Sequence, residues 1–238
     1  MNVFEILILI FSVLAGGSLI FLFGQISPNK FKPILSFSGA FVLGIAILHL
    51  LPEVYESQGK MAGVWILAGF LVQLFLDQFT SGVEHGHVHS HFKKGSNLAL
   101  KIMIGLSVHS LIEGIPMSNI GANEEFQHFF WGIVVHKVPA AIALTSVMFI
   151  SGIKKSLILI CLAIFSLMTP IGGFLGEIIK EKGEVFEIIT AIVVGSFFHI
   201  STTILYETDE DTHHSFSIKK FIFLLSGFAL SFLTFLLE

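Results

Sequence analysis

Residues 156–176 read S-L-I-L-I-C-L-A-I-F-S-L-M-T-P-I-G-G-F-L-G, and no charged side chain interrupts them. Wound into a helix, this stretch is apolar on every face, so it lacks the polar stripe of a helix that meets water. Its length matches the ~20 residues a helix needs to cross the hydrocarbon core of a bilayer. Comparable runs lie on either side of it. Together the spans are 3–24, 34–55, 62–80, 98–119, 126–150, 156–178, 185–206 and 218–237, which predicts an all-α integral membrane protein with eight transmembrane helices. The connections are short except at 81–97 and 207–217, so the chain reads as a single transmembrane domain over 1–238.

Composition excludes the soluble classes. Hydrophobic residues make up 54% of the chain and charged residues 13%, against about 25% charged in a soluble domain. The net charge of -4 is weak, and no basic block suggests nucleic acid. Cys161, the single cysteine, cannot form an intrachain disulfide. The first run has no basic residues ahead of it, Glu5 precedes its core, and its small residues Ala15 to Ser18 lie inside it. It reads as a retained helix rather than a cleaved signal.

Lysine placement predicts orientation. The odd-numbered loops hold nine lysines: Lys30, Lys32, Lys93, Lys94, Lys101, Lys154, Lys155, Lys219 and Lys220. The even-numbered loops hold three, Lys60, Lys180 and Lys182, while Lys137 falls inside a span. The lysine-rich side is expected to be cytoplasmic, with both termini on the extracytoplasmic side of a multi-pass cell-membrane protein. The loop 81–97 then faces the cytoplasm. It contains E-H-G-H-V-H-S-H, in which His85, His87, His89 and His91 alternate; spaced imidazoles can hold zinc or copper transiently, or serve only as a solvated linker.

Ionisable residues within spans are costly and mark candidate sites. The fourth span contains H-S-L-I-E-G-I-P with His109, Glu113 and Pro116, and the fifth contains H-K-V-P-A-A with His136, Lys137 and Pro139. His109 and Glu113 are four residues apart and share a helix face. An imidazole and a carboxylate there supply two ligands of a zinc-type site. His136 supplies a third if the fifth helix packs antiparallel to the fourth, as the short connection suggests. Each proline frees the carbonyl four residues earlier, those of Ile112 and Val135, and interrupted helices are expected at both places. Lys137 has three roles open to it: pairing with Glu113, occupying the place of a second ion, or extending into a polar cavity. His49 and Glu53 in H-L-L-P-E suggest a recruiting site on the outer side. His199 and Glu207, with the loop histidines, suggest receiving groups on the inner side.

These motifs and their order resemble the ZIP (Zrt/Irt-like) family of divalent metal-ion transporters. The similarity extends to T-P-I-G-G-F-L-G in the sixth span and G-S-F-F in the seventh, and covers nearly the whole chain. It implies a ZIP-type bundle in which the first three and last three helices form an inverted repeat. It also implies import of zinc toward the cytoplasm, or of iron, manganese or cadmium, with no enzymatic turnover, and it allows a homodimer. By resemblance, His109, Glu113 and His136 are metal ligands. Members with two adjacent metal sites carry acidic residues where this chain has Lys137 and Ala140, and many have asparagine where it has Ser110. The second metal site is therefore expected to be absent, with the lysine ammonium in its place. Two other readings compete. An intramembrane zinc hydrolase needs a further base and an oxyanion donor, and neither H-E-x-x-H nor a clear nucleophile is present. A cation exporter of another fold favours more midplane carboxylates and a large cytoplasmic domain.

Overall fold

A computed structural model describes residues 1–80, 96–119, 124–206 and 218–237. The loop histidines His85, His87, His89 and His91, and Glu207, lie outside the described residues. Among the described residues all regular structure is helical. The helices are α1 (Val3–Phe23), α2 (Pro28–Ile45), α3 (Leu51–Gln58), α4 (Ala62–Thr80), α5 (Ser96–Gly114), α6 (Glu124–Ile150), α7 (Lys155–Lys180), α8 (Glu184–Tyr206) and α9 (Ile218–Leu236).

Local chemistry accounts for several boundaries. At the start of α1, the Asn2 side chain accepts from the Glu5 amide at 2.9 Å and the Glu5 carboxylate accepts from the Asn2 amide at 2.7 Å. This reciprocal cap satisfies two amides that have no partner within the helix. α2 passes into one wide π-helical turn, Ala46–Leu50, in which the Leu51 amide bonds back to the Ala46 carbonyl. Pro52 follows directly. It has no N–H to return to the carbonyl of Leu48, so the regular ladder cannot be completed there.

The expected interruptions at the two prolines are only half present. α5 ends at Gly114 and tightens into a 3-10 turn, Ile115–Asn119, around Pro116. α6 instead runs unbroken from Glu124 to Ile150 with Pro139 inside it. Proline removes one ladder hydrogen bond, and neighbouring helices can hold the rest of such a helix in place.

Seven helical runs among the described residues are long and apolar enough to cross a membrane. One of them, Lys30–Thr80, is 51 residues long and contains a turn. At Gly59 φ is +54°, a left-handed conformation suited to glycine, and α3 stops there. Contacts with α8 give the directions on either side. Gln58 Nε2 donates to Glu187 Oε2 at 2.7 Å, and Gly39 lies against Ile204, so α2–α3 runs antiparallel to α8. Gly69 lies against Ile192, and His199 Nε2 is 3.8 Å from Asp77 Oδ2, so α4 runs parallel to α8. The chain therefore doubles back at Gly59.

α4 packs along α8, α2 along α9, α1 along α6 and α5 along α7. The buried core includes Leu106, Leu144 and Phe165 at one end, and Leu50, Phe129 and Phe197 at the other. Large apolar side chains such as Phe4, Phe11, Leu67 and Phe174 point outward, as a lipid-facing surface requires. Where α5 meets α7 the backbones nearly touch. A Cβ on Gly172 would collide with the Leu111 carbonyl, and one on Gly114 with that of Thr169. Small residues permit such approach. Gly172→Ala is therefore expected to destabilise the protein by about 1–3 kcal/mol through overpacking, seen as a lower melting midpoint in detergent.

Candidate metal site

α5 places His109 and Glu113 one turn apart on a single face, and α6 brings His136 against them. One nitrogen from each histidine and one carboxylate oxygen of Glu113 all lie within 4.8 Å of one another. His109 Nε2 is 3.2 Å from Glu113 Oε2. The three side chains are at most 3% exposed. The two imidazole rings stand nearly perpendicular, 6.1 Å apart between centroids, and Phe197 closes against both edge-on.

Lys137 is equally buried. Its ammonium contacts Glu113 Oε1, donates to Ser110 Oγ at 2.5 Å, and sits 4.8 Å above the centre of the Phe165 ring. Of the three roles open in the sequence, the structure shows pairing with Glu113. Each buried charge is thereby compensated, which burial requires. Thr169 on α7 donates to the same Oε1 at 3.1 Å. The carboxylate thus divides its work: Oε1 holds Lys137 and Thr169, while Oε2 faces His109.

α8 and α4 orient His109 from behind. Ser196 Oγ donates its single hydrogen to Gln73 Oε1 at 2.9 Å and lies 3.4 Å from His109 Nδ1. The hydroxyl thus meets the ring on the side away from Glu113, while Nε2 faces Glu113 Oε2. Two imidazoles and a carboxylate suit zinc, with a position left for water or release. An outer partner of this kind typically contributes ~10–100-fold to metal affinity. Ser196→Ala should accordingly weaken zinc binding by about tenfold or more, with Ser196→Thr restoring it, measured by zinc titration of the purified protein.

The remaining sequence candidates lie apart from this cluster. His199 is buried between α4 and α8, with Asp77 Oδ2 at 3.8 Å and the Phe70 ring edge-on at 4.9 Å. His49 is buried against His128 and the α9 residues Thr234 and Phe235. Glu53 follows one turn later on α3 and is half-buried. Sequence reasoning missed Thr169, Ser196, Gln73 and His128. Thr169 and Ser196 fall in the T-P-I-G-G-F-L-G and G-S-F-F stretches that carry the resemblance, but their contacts, and the place of Gln73, emerge only once α4, α7 and α8 are assembled. His128 carried a signal, being a second histidine in the span of His136, eight residues before it.

A family model described as ZIP zinc transporter matches residues 83–234. Protein zntD of Dictyostelium discoideum is 33% identical over 165 residues, covering 62% of this chain and 24% of that protein. Zinc transporter ZIP1 of Danio rerio is 23% identical over 150 residues, covering 60% of this chain and 49% of its own length. Zinc transporter ZIP1 of Homo sapiens is 28% identical over 256 aligned positions, covering 87% and 79%. The chain spans between about a quarter and a half of the length of most relatives it matches.

Proposed function

This chain belongs to the ZIP zinc transporter family, and on that premise we propose that it imports zinc toward the cytoplasm through one mid-membrane site on α5 and α6. The observation that carries this reading is the convergence of His109, Glu113 and His136 from two helices at buried depth. The open coordination position suits an ion that must leave again. Lys137 occupies the neighbouring place, so the proposed centre holds one ion.

Eight crossings are proposed, the Lys30–Thr80 run contributing two. The reversal at Gly59 supports this. So do the opposed directions of α2–α3 and α4 against α8. An inverted repeat is supported by exchanged pairings: α2 packs on α9 as α8 packs on α4, and α1 on α6 as α7 on α5. With eight crossings, the nine-to-three lysine bias puts both termini outside. His49 and Glu53 then lie on the recruiting side. His199 and Glu207, with His85, His87, His89 and His91, lie on the receiving side. Iron, manganese and cadmium remain within the chemistry of an imidazole–carboxylate set.

The test is uptake of labelled zinc by proteoliposomes in which the protein's orientation has been determined. Saturable flux toward the lysine-rich face is expected. Flux only in the opposite sense, or none, would overturn the proposal.

A further inference from the structure

Outside the central cluster, a second pair of metal-ligating side chains meets at the end of the bundle where α6 begins. His49 and His128 come from different helices, yet their rings lie 4.5 Å apart between centroids, tilted by 31°. From this pair we infer that His49 and His128 form a second, weaker zinc-binding site, a capture point from which ions pass to the central one.

A third helix holds the His49 ring in place. Thr234 Oγ1 donates to the Ser231 carbonyl at 2.7 Å and lies 3.3 Å from His49 Nε2. Outer partners of this kind orient metal-bound histidines.

The backbone supports the same reading. His49 sits in the π-helical turn Ala46–Leu50, and such single wide turns occur frequently at functional sites. The turn also moves the ring off the position that an unbroken α-helix would give it. His49 is only 2% exposed while His128 is half-buried, so the pair is reached from the His128 side. Glu53 follows one turn beyond His49 on α3.

Position along α6 connects this pair to the central site. His128 precedes His136 by eight residues, about 12 Å along the helix axis. Two imidazoles with the remaining positions left to water bind more weakly than the central set, as a capture site requires. The transport reading supplies only the direction of passage; binding at the pair stands or falls separately.

The test uses the purified full-length chain in detergent and zinc ions alone. In a His109→Ala/His136→Ala background, adding His128→Ala should remove one zinc equivalent per chain, whatever the remaining histidines bind. The intact chain carrying only His128→Ala should show a KM for zinc uptake raised on the order of tenfold, at least the loss that accompanies removal of an outer partner. Its maximal rate should stay within about twofold, because the central ligands are untouched. Unchanged stoichiometry in the first experiment overturns the site even if transport is normal. An unchanged KM in the second overturns its role in capture. Absence of any zinc flux in the unmodified chain counts against the transport reading and leaves the binding result to decide the site.

Discussion

Zinc uptake by proteoliposomes carrying His109→Ala should fall by about a hundredfold or more at limiting zinc. Removing an outer partner of a metal ligand already costs ~10–100-fold in affinity or activity, and this change removes a proposed ligand itself. It does so without disturbing the buried charge pair, because Lys137 and Glu113 still meet and Thr169 still donates to the carboxylate. The variant should therefore fold, and its melting midpoint without metal should fall only by the cost of the cavity left at a buried ring. Glu113→Ala differs. It abolishes the same flux but also strands the Lys137 ammonium, and breaking one side of a buried pair costs about 3–5 kcal/mol. Flux lost in both variants, with the larger loss of stability in the second, is the expected pattern. Flux unchanged in His109→Ala would remove the central site from the transport path.

Lys137→Asp should convert a one-ion centre into a two-ion centre. In the structure the ammonium lies against Glu113 Oε1 and Ser110, where a second cation would draw on the same oxygen. Replacing it by a carboxylate places two like charges side by side in a buried setting. Without metal the variant should lose about 3–5 kcal/mol of stability. Zinc should return much of that, because a ligand that binds only the folded state stabilises it by mass action. The measurements are zinc stoichiometry at saturation and melting midpoint with and without zinc. Two ions per chain and a zinc-dependent midpoint are expected. One ion and no dependence would mean that Lys137 is only a structural partner of Glu113.

Much of this was legible residue by residue. The third span is bounded as expected, Ala62–Thr80, and the fifth to eighth agree to within two residues at each end. Bilayer thickness dictates such lengths, so long apolar runs announce themselves. The second span was harder. Its helix starts at Pro28 rather than at 34, because Pro28 is preorganised for a first turn even where the sequence is still polar. The candidate ligands were legible for a related reason, since a histidine and a carboxylate in an apolar run stand out. Their supports did not stand out: Thr169 and Ser196 are ordinary polar residues whose partners lie 56 and 123 residues away in sequence.

By itself, then, the sequence determined that the chain is a helical membrane protein and singled out His109, Glu113 and His136 as its candidate metal ligands. Those conclusions rest on local quantities: run length, the cost of buried charge, and the four-residue spacing of one helix face. Tertiary structure alone decided that Lys137 turns inward to Glu113, that α6 passes through Pro139 unbroken, and that α4 and α8 orient His109. It also brought His128 to His49. These depend on which helices pack together and how closely. That is set by backbone approach at small residues and by pairing of buried polar groups, properties of assembled surfaces that no single segment contains.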